Sequence, residues 1–102
     1  MDSLKFPKPM KRHKDPKLLT RLRSQVRSCE CGCGSNRALE THHIISRKMG
    51  GDDVEDNVLV LASYCHQAWH TWGGKEWFRR REARMADEAR EKVRVALRLE
   101  EE

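Results

Sequence analysis

Nowhere in the 102 residues is there an apolar run long enough to cross a bilayer, and the first residues lack the hydrophobic stretch of a secretory signal. Both absences argue against a membrane or exported class; a soluble, cytoplasmic chain with no membrane partner is expected. Apolar side chains are also scarce. Hydrophobic residues make up 37% against 36% charged, and charge is concentrated at both ends, which shrinks the part able to form a core. Burial alone would leave one small domain marginal, so a metal staple is expected. There is no internal repeat. Neither proline nor glycine occurs after Gly74, so nothing local interrupts a helix there.

What is abundant is positive charge, unevenly placed. Residues 1–28 hold nine Lys or Arg against Asp2 and Asp15; residues 29–74 hold three against six acidic residues; residues 75–102 hold nine against eight. A basic arm on a nearly neutral core fits contact with a polyanion, because each neutralised phosphate releases counterions. A solvated tail has the same composition. Three segments follow: a basic arm with a short helix over 1–28, a core over 29–74, and a C-terminal amphipathic helix over 75–102.

All three prolines fall in the first 16 residues, which read as an extended arm. Over 17–28, Leu18, Leu19, Leu22 and Val26 share a helical face. A strand is expected over about 38–45, a loop around Gly50 and Gly51 running to Asn57, and a second short strand over 58–61. A helix then starts near Ser63 and ends at Gly73 and Gly74, residues suited to a helix C-terminus. From Lys75, Trp77, Met85, Ala89, Val93, Ala96 and Leu97 recur at helical spacing, which predicts one long amphipathic helix. Its faces alternate in charge, which suits docking rather than reading DNA. Trp69, Trp72 and Trp77 are assigned to packing.

Four of the five histidines form a pattern. His42 and His43 are adjacent, so on a strand they point to opposite faces: one can bind metal while the other faces substrate. His66 and His70 are one helical turn apart on one face, a spacing suited to joint coordination. His42, His66 and His70 make a three-nitrogen site that leaves positions open for water and a phosphate oxygen, as a catalytic ion requires.

These residues resemble the HNH endonucleases, whose core is a ββα-metal finger. The likeness covers roughly residues 29 to 74 and rests on HHII at 42–45, GGDDVEDN at 50–57 and CHQAWH at 65–70. The spacing is similar to that of colicin-like nuclease toxins, while the cysteine knuckle and Gly-Gly stretch look more like small phage and bacterial HNH proteins. The resemblance implies a small α+β fold and a DNA endonuclease or nickase. It makes His43 the general base toward water, an imidazole being suited to this near neutrality. Asn57 would tie the inter-strand loop by backbone hydrogen bonds and so orient His43. A divalent ion on His42, His66 and His70 would stabilise the phosphate and departing 3′ oxygen, leaving 5′ phosphate and 3′ hydroxyl ends. Many relatives have Asp where this chain has His42. Three imidazoles favour Zn²⁺, Ni²⁺, Co²⁺ or Mn²⁺ over Mg²⁺.

Cysteines in a reducing compartment favour metal ligation over disulfides. HNH proteins with a structural zinc usually carry two Cys-x-x-Cys pairs. Here Cys65 ends the second pair, but Ala62 stands where its partner is expected, and Cys33 matches the end of the first. Cys29, Cys31, Cys33 and Cys65 together make a four-thiolate zinc site; alternatively, one of Cys29 and Cys31 is free and water or a histidine completes the shell. The ion would tie the knuckle to the start of the helix bearing His66 and His70.

The partner implied is double-stranded DNA, with Lys11, Arg12, Lys14, Arg21, Arg23, Arg27, Arg47 and Lys48 as phosphate contacts. A monomer would nick, and a homodimer could cut both strands. Two other readings stand: a non-catalytic zinc-finger DNA-binding module, and a nuclease subunit acting with phage terminase or other packaging proteins in the host cytoplasm.

Overall fold

The computed structural model describes residues 14–99, so Lys11 and Arg12 lie outside the described residues. Helix α1 spans Pro16–Gln25. Asp15 caps it, accepting from the Leu18 amide at 3.0 Å, and Pro16 occupies the first turn, where its missing N–H costs nothing. Leu18 and Leu22 are its buried residues, and Leu19 and Val26 pack beside them.

Strands β1 (Leu39–His43) and β2 (Val58–Ala62) pair antiparallel, with His42 opposite Leu59 and His43 opposite Val58. All five residues of β2 are buried because both faces are covered. Val58 and Val60 meet α1, whereas Leu59 and Leu61 enter the main core. A two-stranded sheet leaves β2 a free edge, and here that edge is satisfied. The Val60 amide donates to Glu30 Oε1 at 2.8 Å, the Val60 carbonyl accepts from the Glu30 amide at 2.9 Å, and Lys92 Nζ donates to the Val58 carbonyl at 3.2 Å.

Between the strands, 3₁₀ turns at Arg47–Met49 and Glu55–Asn57 flank Gly50 and Gly51. Gly51 is required: a Cβ there would lie 1.7 Å from the Ile45 carbonyl oxygen. Helix α2 (Ser63–Trp72) follows β2 directly and ends at Gly73, which has φ of 87°. The order strand, strand, helix is thus the small α+β arrangement expected, and none of the helices among the described residues is long and apolar enough to cross a membrane.

The C-terminal segment is helical and amphipathic but not continuous. Helix α3 (Gly74–Arg81), a 3₁₀ turn (Glu82–Arg84) and helix α4 (Asp87–Leu97) replace the single helix predicted from Lys75. Packing breaks it. The turn buries Met85, and the Arg84 carbonyl sits where a Cβ on Gly32 of the cysteine knuckle would come within 2.1 Å of it. Arg94 and Glu82 pair at 2.7 Å across the bend. Trp77, Phe78, Ala89 and Val93 join Leu59, Leu61, Cys65 and Trp69 in one core. Trp69 and Trp77 are packing residues, their ring centroids 4.9 Å apart; Trp72 is half-buried under the Arg80 and Arg81 guanidinium groups.

Candidate functional site

Strand alternation separates the two neighbouring histidines. His42 lies on the Leu59 side of β1, toward α2, and His66 and His70 project from one face of α2 to meet it. One ligand atom from each of the three falls within 4.8 Å of the others. The rings meet with centroids 4.9 to 5.7 Å apart. His42 is 2% exposed, and its Nε2 is buried without a hydrogen-bond partner. Burial first, then the neighbouring His66, His70 and His43, lower its pKa to about 3. It is therefore a neutral imidazole with an orphaned nitrogen facing two others, a donor set that fits a divalent transition ion. Trp69 packs its ring against His42 at 4.4 Å and closes the apolar side of the cluster.

His43 points the other way, to Asp53. The His43 Nε2 to Asp53 Oδ1 distance is 2.7 Å. Arg47 forks onto both Asp53 oxygens at 3.0 Å, and the Asp15 amide donates to Oδ2 at 2.8 Å. Burial by itself raises the Asp53 pKa, but the Asp15 amide, His43 and Arg47 outweigh it and lower it to about 2. The carboxylate is ionised at neutral pH. His43 then donates from Nε2, and in the neutral imidazole that tautomer puts the lone pair on Nδ1.

Asn57 holds the loop that carries Asp53. Its Oδ1 accepts from the Ile45 amide at 2.8 Å, and its Nδ2 donates to the Ile45 carbonyl at 3.0 Å and the Asp52 carbonyl at 3.1 Å. With the Ile44 amide on the Asn57 carbonyl at 2.8 Å, the end of β1 is clamped to the loop directly after His43.

The four cysteines converge. Their sulfurs lie within 4.8 Å of one another, with Cys31 to Cys65 at 3.3 Å and Cys33 to Cys65 at 3.8 Å, and none is in a disulfide. Four sulfurs set tetrahedrally about 2.3 Å from a zinc ion would be separated by about 3.8 Å, so the cluster is compatible with a structural zinc. Cys31 pushes the Cys29 thiol pKa down, while Cys29 raises that of Cys31 and burial raises that of Cys65. One thiolate is favoured and the next is opposed, as expected of crowded sulfurs that a cation would relieve.

Lys14, Arg21, Arg23 and Arg27 are exposed along and beside α1, and Lys48 is exposed on the Arg47–Met49 turn. Arg47, expected to contact phosphate, is 49% exposed but engaged with Asp53. Two residues have a place at the site that no sequence pattern marks: Asp53, and Glu40, whose Oε1 is 2.7 Å from His66 Nδ1. Asp53 lies among Asp52, Glu55 and Asp56, and only its burial separates it from them.

No curated protein matches the chain. The HNH endonuclease family model matches residues 29–71, a span that runs from Cys29 past His70 and so takes in the cysteine cluster, both strands, Asn57 and the three converging imidazoles. Over that segment the chain is similar to the HNH endonuclease family.

Proposed function

We propose that this chain is a metal-dependent endonuclease or nickase hydrolysing phosphodiester bonds of double-stranded DNA, with His43 as general base. The observation that carries the reading is the division of labour on β1: His42 is turned into the imidazole triad, and its neighbour His43 is turned to Asp53 through Nε2, with no hydrogen bond on Nδ1 among the described residues. Ionised Asp53 fixes the tautomer, so Nδ1 can take a proton from water. The water oxygen then attacks phosphorus as the bond to the 3′ oxygen breaks, and that oxygen takes a proton from solvent water, leaving a 5′ phosphate and a 3′ hydroxyl. His42, His66 and His70 would hold the divalent ion, which when bound supplies stabilisation of charge on the phosphate and on the leaving oxygen.

Asn57 keeps the Asp53 loop against the end of β1, so His43 stays oriented. The four cysteines would hold a structural zinc and thereby seat the first turn of α2. Lys14, Arg21, Arg23, Arg27 and Lys48, with Lys11 and Arg12, supply phosphate contacts that position DNA without reading its sequence.

The test is relaxation of supercoiled plasmid by metal-stripped protein supplied with Mg²⁺, Mn²⁺, Ni²⁺, Co²⁺ or Zn²⁺ in turn. Wild type should nick with the transition ions and His43→Ala should lose about 100-fold or more, the usual worth of a general base. If no metal supports cleavage while the folded protein still binds DNA, the scaffold is a binding module and the catalytic reading fails.

A further inference from the structure

The imidazole triad contains no anionic ligand, yet a carboxylate stands directly behind it. Glu40 and His42 are two residues apart on β1, so both side chains leave the strand on the side of α2. From there Glu40 Oε1 reaches His66 Nδ1 at 2.7 Å, across 26 residues of sequence. This contact consumes Nδ1 and leaves Nε2 as the only ring nitrogen of His66 able to ligate. His66 is 26% exposed at its side chain, and the His42 and His70 rings that it also meets would share the ion with it rather than set its tautomer; His42, in contrast, is locked by burial against Trp69.

We infer that Glu40 is a positioning residue for the metal centre: it fixes His66 with Nε2 toward the ion and returns one negative charge to a site whose three ligands are neutral. A carboxylate on the far nitrogen makes an imidazole a better donor, and loss of such a partner lowers metal affinity by about 10- to 100-fold. The inference rests on the three-histidine metal site of the proposed function. Glu40 touches neither the reacting atoms nor His43, so its effect should appear in metal affinity rather than in the chemistry of the fully loaded protein.

The experiment is titration of Ni²⁺ into the full chain with its cysteine site already loaded with zinc, followed by calorimetry and by competition with a chelator. Glu40→Ala should bind Ni²⁺ about 10- to 100-fold more weakly than wild type. Glu40→Gln, which can still accept from Nδ1 but is uncharged, should fall between the two. Glu40 is 47% exposed at its side chain, and unchanged far-ultraviolet circular dichroism would verify that both variants fold. His42→Ala should abolish the binding event and so identify it with this site. If Glu40→Ala binds as tightly as wild type while His42→Ala does not bind, Glu40 is a surface ion pair and the inference is overturned. If His42→Ala also binds as wild type, the metal-site reading falls and this inference falls with it. Cleavage assays decide neither arm.

Discussion

At Asp53 three donors from three parts of the chain converge on one carboxylate: the Asp15 amide, the Arg47 guanidinium and His43. This arrangement sets a sign for the acid response. The folded pKa is lowered from 3.8 to about 2, so ionised Asp53 stabilises the fold at any pH above about 4. That contribution is lost as pH falls from about 4 to about 2. Denaturant unfolding followed across this window should lose stability more steeply for wild type than for Asp53→Asn, and parallel profiles would show that Asp53 is not the group responsible. Near neutrality Asp53→Asn should still bind metal but cleave about tenfold or more slowly, because a neutral amide can donate as well as accept and so no longer fixes the His43 tautomer that bares Nδ1. Arg47 belongs to the same unit. Its sequence neighbourhood reads as a phosphate contact, but two of its hydrogen bonds of 3.0 Å are spent inside the protein.

Helix α2 joins the two candidate metal sites. Cys65 and His66 are consecutive in its first turn, so the sulfur faces the knuckle while the imidazole faces His42 and Glu40. Trp77 of α3 supports the same turn by donating from Nε1 to the Cys65 carbonyl at 3.0 Å. Loading of the cysteines and placement of the histidines are thus mechanically linked. Cys65→Ser should lower the zinc content of the knuckle and also weaken Ni²⁺ binding at the histidines, although residue 65 is not a ligand there. Elemental analysis combined with the Ni²⁺ titration separates the two effects, and normal histidine-site affinity in a zinc-depleted variant would show the sites to be independent.

Across the whole molecule the knuckle and the C-terminal helices close the structure around β2. Gly32, at φ of 88°, lets the knuckle press onto the Arg84 carbonyl between α3 and α4. Gly32→Ala brings both a left-handed strain and a clash with backbone, so a cost of more than about 1 kcal/mol is expected. The variant should melt several degrees lower, about 4 to 8 °C per kcal/mol for a domain of this size. A control substitution at Gly34, also at positive φ but with open space around its Cβ position, isolates the clash from the strain. Equal melting of the two variants would assign the whole effect to conformation. The packing of α3 and α4 on the core also explains how a chain with so few apolar residues buries Trp77 and Val93 completely.

The sequence alone determined the order strand, strand, helix of residues 39–72, because period-two and helical apolar patterns are local properties of the chain. It placed His42 and His43 on opposite faces of β1 by strand alternation, and it paired His66 with His70 by helical spacing. The gathering of four cysteines was also legible, since thiols at short spacing serve one ion better than they serve each other. What only tertiary structure decided is which charged residues become partners. Asp53 reaches back 38 residues to the Asp15 amide and Glu40 forward 26 to His66, while Asp52, Glu55 and Asp56 offer the same chemistry locally. The bend at residues 82–86 has the same origin. No helix breaker marks it, and it arises because burying Met85 and packing on Gly32 outweigh the few hydrogen bonds that an unbroken helix would have kept. Local pattern encodes which side a residue faces; the partner waiting there depends on how distant segments pack.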